Sequence, residues 1–106
     1  MSRFMRVIVL FDLPVATKEQ RRQATRFRND LLNEGFYMMQ FSVYVRVCHN
    51  VESCYKYMQK VKLIAPKAGC IRILPITEKQ HQDMIIVSGK RKEEDKEVKA
   101  YQLSFL

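Results

Sequence analysis

The chain has 106 residues, with 19 Lys and Arg against 11 Asp and Glu, which gives a formal net charge of +8 at pH 7. This length accommodates a single domain, and a hydrophobic content of 47% excludes a disordered chain. No apolar run approaches the roughly 20 residues of a membrane-spanning helix, and we expect no membrane association.

The first predicted element is a strand at residues 4–11, a run rich in Val and Ile that only Arg6 interrupts. A nearly continuous apolar run of this kind is typical of a strand buried on both faces. Pro14 disfavours helical geometry at Leu13, so the chain should turn directly after Asp12. Because Asp12 and Pro14 end the apolar run and no small-residue cleavage site follows, we expect no signal peptide and a cytoplasmic protein.

A helix is predicted from about 18 to 34, because Thr17 and Gln20 have the spacing of a capping box and Gly35 follows the helix. At about 100° per residue, one narrow face carries the apolar side chains. Most basic side chains lie on another side, and they are Lys18, Arg21, Arg22, Arg26 and Arg28. This side is either an ordinary solvated face or a surface for a polyanion such as nucleic acid.

Residues 36–47 alternate, with apolar side chains at every odd position from 37 to 47. The pattern predicts one long strand with a single core face, or two shorter strands that meet at a bend near Gln40. Asn50 can cap a second helix. The apolar stripe of that helix comprises Val51, Cys54, Met58 and Val61.

The last third of the chain is predicted to contain more strands. Residues 70–76 are predicted as a strand in which Pro75 favours a bend or an exposed edge. A second capping box at residues 77–80 opens one or two turns of a short polar helix, with His81 expected in solvent. Residues 84–87 are predicted as a strand, and residues 90–97 as a charged, flexible linker. Alternating apolar residues at 101–105 indicate a terminal strand, which either pairs within its own sheet or exchanges with a second copy.

This order of elements predicts an α+β fold, a ferredoxin-like βαββαβ sandwich with an extra C-terminal strand. Exchange of that strand with a second copy would make the protein dimeric. We divide the chain into a ferredoxin-like domain at residues 1–88 and a linker with a C-terminal strand at residues 89–106. No motif for nucleotide hydrolysis, serine hydrolysis or zincin chemistry is present. Three cysteines without C-x-x-C spacing are expected to be thiols in a reducing compartment.

Asp12 is the strongest candidate for a catalytic and metal-binding residue. It follows a buried strand directly, at a sheet end where loops can converge on a ligand. Magnesium commonly uses only one or two carboxylates together with water and substrate phosphates, so two copies of Asp12 across a twofold axis would be sufficient. A structural role in the turn before Leu13 and Pro14 is the alternative.

Three segments resemble the CRISPR-associated Cas-two (Cas2) family, particularly that of type II systems. They are residues 7–14 (VIVLFDLP), 40–44 (QFSVY) and 74–80 (LPITEKQ), and the resemblance extends over residues 4–88. It implies a ferredoxin-like fold, a homodimer completed by C-terminal strands, and a role in spacer acquisition beside the Cas-one (Cas1) integrase. It also implies metal-dependent cleavage of RNA or double-stranded DNA, with Mg²⁺ or Mn²⁺ as cofactor.

Site residues follow from the same resemblance. Asp12 matches the aspartate that holds the metal between protomers, while Phe11 stands where many members have Tyr. Ser42 and Tyr44 match the polar and aromatic positions of the second motif and are assigned to nucleic-acid binding. Phosphate contacts are assigned to the arginines of the first helix, of which the first two fall near basic family positions: Arg21, Arg22, Arg26 and Arg28.

Two other functions agree with the same fold prediction. One is a toxin-type ribonuclease, and the other is a ferredoxin-like module that binds nucleic acid without catalysis. The commonest RNA-recognition signature is not met at residues 34–41, which argues against the most frequent version of the second alternative.

Overall fold

The computed structural model describes residues 4–98, and the predicted terminal strand at 101–105 lies outside them. The order of elements is βαββαβ, as predicted, followed by a short helix and a 3₁₀ turn. The strands are β1 (Met5–Asp12), β2 (Tyr37–Gln40), β3 (Val43–Cys48) and β4 (Cys70–Thr77). The helices are α1 (Lys18–Asn33), α2 (Val51–Ile64) and α3 (Glu78–Gln82), and the 3₁₀ turn is Glu93–Asp95.

The four strands form one antiparallel sheet in the order β2-β3-β1-β4, with β1 in the centre. Ile8 lies opposite Val45 on one side and Leu74 on the other, which fixes the register of the three longest strands. This order confirms the ferredoxin-like prediction. It also confirms β4 as an edge strand among the described residues. At an edge, the missing N–H of Pro75 interrupts no pairing between two inner strands.

The core lies between α1 and α2 and one face of the sheet. Val7, Val9 and Phe11 project from β1 toward the helices and pack with Phe27 and Leu31 of α1. Successive strand residues alternate between faces, so Arg6, Ile8, Leu10 and Asp12 project from the opposite face. Asp12 is therefore held on a central strand, on the face opposite α1 and α2.

All three predicted caps and the predicted break between two strands are present. Thr17 and Thr77 each form a capping box, and Asn50 caps α2. The long alternating segment is two strands, joined by a tight turn at Phe41 and Ser42, and Ser42 adopts a φ of 64°. Phe41 lies in this turn and not in either strand, so it is 77% exposed although its odd position predicted a core residue.

The chain after β4 differs from its prediction. Residues 84–87 form no strand, and Ile85 and Val87 are 85% and 95% exposed. Residues 90–97 do not form a free linker, because the Arg6 side chain donates hydrogen bonds to the carbonyl oxygens of Glu94 and Lys96. The proposed boundary at residue 88 stays a prediction. His81 was expected in solvent, which is wrong, since it is only 1% exposed beneath this segment.

Candidate active site and nucleic-acid surface

Asp12 is exposed at the C-terminal end of β1, where it pairs with Cys70 of β4. A shallow cleft beside it is lined by Leu10, Cys70 and Arg72. Leu10 lies opposite Arg72, so the Arg72 guanidinium and the Asp12 carboxylate project from the same face of the sheet. This end of the sheet combines a carboxylate for a metal with a cation for a phosphate.

Gly69 holds the backbone beside Asp12. It adopts a φ of +82°, and a Cβ at this position would lie 2.4 Å from the carbonyl oxygen of Asp12. Backbone atoms cannot move aside as a flexible side chain can, so only glycine fits here. The close approach of the loop before β4 therefore fixes the place where β1 ends.

The turn between β2 and β3 reaches the same end of β1. The backbone N–H of Phe11 donates to the carbonyl oxygen of Ser42 at 3.0 Å. Arg28 of α1 donates from Nη2 to Ser42 Oγ at 2.9 Å, and its guanidinium also lies over the rings of Phe11 and Phe41. The predicted residues Arg28 and Ser42 are thus brought together, one residue along β1 from Asp12.

The other predicted arginines are exposed on α1, in the helical layer, on the side of the sheet away from the Asp12 side chain. Arg21 donates to the backbone carbonyl oxygens of Val15 and Ala16 at 3.0 and 3.2 Å, and Arg22 pairs with Glu19 at 2.5 Å. An exposed ion pair of this kind contributes little to stability and leaves Arg22 able to exchange partners. The basic surface of α1 is therefore accessible, and its contact with phosphates stays a prediction.

Tyr44 does not belong to this surface. It is only 3% exposed, and its ring stacks on Phe11 with centroids 5.7 Å apart. Tyr44 lies opposite the core residue Val9, which places its side chain on the face under the helices. Its assignment to nucleic-acid binding is not supported by its burial.

The donor set for a metal is incomplete in a single copy. Within residues 4–98, no cluster of three or more His, Cys, Asp or Glu could hold an ion. Asp12 alone provides one carboxylate on an open face, which fits Mg²⁺ or Mn²⁺ only if further oxygen ligands come from a second Asp12, water or substrate phosphates. The residues present fit a shared site, not one confined to a single chain.

A buried network at the opposite end of β1 was missed from the sequence. Arg6 is 0% exposed, and its Nε and Nη2 donate to the two carboxylate oxygens of Glu78, each at 2.8 Å. Its Nη1 donates to the Tyr37 hydroxyl at 2.7 Å and to the Glu94 carbonyl oxygen at 2.8 Å. Burial opposes ionisation of Glu78, but hydrogen bonds from Arg6 and Gln82 outweigh it and lower its pKa. A charged residue inside an apolar strand requires a buried partner, and this was the available signal.

The network continues to the 3₁₀ turn. The Tyr37 hydroxyl donates to buried Asp95, and Nε2 of His81 lies 3.2 Å from the same carboxylate. Burial and the nearby charge of Arg6 lower the pKa of His81 although Asp95 opposes them, so the ring is neutral at pH 7. These contacts attach the segment around residue 95 to the face of the sheet that also carries Asp12.

The comparisons with known proteins agree on one family. The profile of the family described as CRISPR associated protein Cas2 matches residues 5–84. A protein from Ligilactobacillus salivarius is 45% identical over 87 residues, which cover 82% of this chain and 86% of that protein. One from Acidovorax ebreus is 42% identical over 100 residues, or 94% and 98% of the two chains. A third, from Streptococcus mutans, is 42% identical over 87 residues, or 82% and 80%.

Each of these three relatives is named a CRISPR-associated endoribonuclease Cas2. In the described part of this chain, no helix has the length and apolar content needed to cross a membrane.

Proposed function

The chain belongs to the Cas2 family of CRISPR-associated proteins, and we propose that it is a metal-dependent endonuclease that works as a homodimer. The observation that carries this proposal is the exposed carboxylate of Asp12 at the end of the central strand, beside Arg72 on the same face of the sheet. The substrate is RNA, as the names of the relatives say of those proteins, or double-stranded DNA.

The mechanism assigns separate tasks to these groups. Asp12 from each of two copies would hold one Mg²⁺ or Mn²⁺, which supplies charge neutralisation at the scissile phosphate when bound. Arg72 lies beside Asp12 and stabilises the negative charge that increases on the phosphate oxygens in the transition state. Ser42, whose hydroxyl accepts from Arg28, is positioned to contact the sugar–phosphate backbone.

Two exposed features support a homodimer. The outer edge of β4 pairs with no strand among the described residues, and such an edge is a template for another chain. Met84, Ile85, Ile86 and Val87 form a run of exposed apolar side chains, which soluble proteins usually cover. We propose that a second copy covers both, with its Asp12 close enough to share one metal.

We further propose that the dimer binds duplex DNA as a scaffold for the Cas1 integrase during spacer acquisition. The exposed arginines of α1 lie in the helical layer, whereas Asp12 lies on the other side of the sheet. Duplex binding and cleavage therefore use different surfaces, and loss of one need not remove the other. This separation favours the scaffold function over a toxin-type ribonuclease, whose only task is cleavage.

Duplex binding is expected to depend steeply on salt, because each phosphate neutralised by Arg or Lys releases condensed counterions. A plot of log K against log salt should have a slope of about −4 or steeper, measured by fluorescence anisotropy with a labelled 30-bp duplex (roughly three helical turns). Reversal of Arg21, Arg22 and Arg26 to Glu should reduce both the affinity and the slope.

The control is a second triple variant that reverses three exposed lysines away from α1 and therefore has the same net charge: Lys79, Lys90 and Lys96. This control should retain most of the slope, since it leaves the basic surface of α1 intact. A slope near zero for the wild type, or equal losses in both triple variants, would contradict a specific α1 surface.

A further inference from the structure

Phe41 is an exposed aromatic residue supported by a cation. Its side chain is 77% exposed at the turn between β2 and β3, and the Arg28 guanidinium carbon lies 4.3 Å from its ring centroid. The same guanidinium lies 4.9 Å from the ring centroid of buried Phe11. Arg28 is thus held between two aromatic rings, one in the core and one at the surface, and further fixed by Ser42.

We propose that Phe41 is a stacking platform for an unpaired nucleobase at the same end of the sheet as Asp12, an inference that rests on the proposed nuclease function. Arg28 covers one face of the ring, and the large exposed fraction leaves the other face open to solvent. An aromatic face beside a cation is the combination that binds bases of single-stranded nucleic acid, whatever their sequence.

The platform lies beside the end of β1 that carries Asp12, on the helical side of the sheet. The Ser42 carbonyl oxygen accepts from the backbone of Phe11, the residue directly before Asp12, and Phe41 directly precedes Ser42. A single strand that passes around this end of β1 from the Asp12 face can place one of its bases on Phe41. Two aromatic rings and the Ser42 hydroxyl hold Arg28 in place. The platform is therefore already formed before the substrate binds.

A nucleobase fits this platform better than an apolar surface of a second copy. The guanidinium against the ring and a net charge of +8 favour a polyanion and disfavour another copy of the same cationic turn. Within a duplex both faces of each base are already stacked, so the platform selects an unpaired base, at a single strand or a frayed end. The nuclease should consequently prefer unpaired over fully paired sites.

The test uses the full chain with EDTA, so that binding is measured without cleavage. Phe41→Ala should weaken binding of a single-stranded RNA 12-mer about 5- to 150-fold, the range of one base–aromatic stack. Binding of a blunt duplex of the same sequence should change by less than about 2-fold, because that substrate presents no free base face. Tyr55→Ala is the matched control, since Tyr55 is also an exposed aromatic residue but lies on α2, which begins beyond the other end of the sheet.

Phe41→Trp provides a second readout, because the chain contains no other Trp. Its fluorescence should be quenched by the intact single strand. Quenching should be much weaker with a strand in which abasic sites replace the bases. The affinity of Phe41→Trp for the single strand should equal or exceed that of the wild type, because the platform requires an aromatic ring and not phenylalanine itself.

The outcomes separate the two hypotheses. A wild type that neither binds nor cleaves nucleic acid would overturn the proposed function and this inference with it. A wild type that binds RNA while Phe41→Ala loses single-strand and duplex affinity equally, or not at all, would overturn this inference alone. A Phe41→Ala chain that sediments as a monomer where the wild type is a dimer would assign Phe41 to contact with a second copy and also overturn the inference.

Discussion

Replacement of Asp12 by Asn is expected to lower the rate of metal-dependent cleavage at least about 100-fold. The amide keeps the size of the side chain but removes the negative charge that would hold Mg²⁺ or Mn²⁺, and a metal ligand contributes at least as much as the groups that orient it. Asp12 is exposed at a strand end, so the substitution should leave stability nearly unchanged. Cleavage is measured with labelled RNA and duplex DNA, with and without EDTA.

The control for this variant is Asp83→Asn, which neutralises another exposed carboxylate at the end of α3, where it pairs with Lys79. It should cleave at the wild-type rate. Duplex affinity of Asp12→Asn should also match the wild type, because the α1 arginines are unchanged. If Asp12→Asn retained the full rate, the activity would come from a contaminating nuclease and the assignment of Asp12 would be wrong.

Replacement of Glu78 by Gln is expected to destabilise the fold by about 3–5 kcal/mol. Arg6 is fully buried, and the variant leaves its charge without the carboxylate that accepts from two of its nitrogens. A loss of this size is a large part of the stability of a domain of about 100 residues. Urea denaturation should show the midpoint falling with little change in the m-value.

Two further variants identify the cause of that loss. Glu93→Gln breaks an exposed ion pair with Lys96 and should change stability by less than about 1 kcal/mol. The double variant Arg6→Met, Glu78→Met removes both charges and should recover most of the loss, because two apolar side chains require no buried partner. A Glu78→Gln chain within 1 kcal/mol of the wild type would show that water solvates Arg6 and that the network is not closed.

Much of the fold was predictable because several local signals agreed. The two capping boxes, the apolar stripe of α1 and the position of Pro75 each fixed one element independently. Alternation at residues 36–47 was less informative, because both faces of β3 are buried and the pattern cannot tell which face lies under the helices. Tyr44 lies opposite the core residue Val9, and Phe41 lies in the turn, so each has a different environment from the predicted one.

The candidate site was predictable only in part. Asp12 was identifiable because a carboxylate that directly follows a buried strand lies at an end of the sheet. The roles of Arg6 and His81 depend on contacts with residues about 14 to 90 positions away, such as Glu78 and the carbonyl oxygen of Lys96, and no local pattern encodes these. Arg28 counted as one of several surface cations until the structure placed it between two aromatic rings.

The account depends most on two copies sharing one metal through their Asp12 residues. Titration of the wild-type protein with Mn²⁺, followed by electron paramagnetic resonance in the presence of a non-cleavable oligonucleotide, measures this directly. We expect saturation at one Mn²⁺ per two chains, and loss of that binding in Asp12→Asn. Saturation at one ion per chain, or binding that is unchanged in Asp12→Asn, would contradict the shared site.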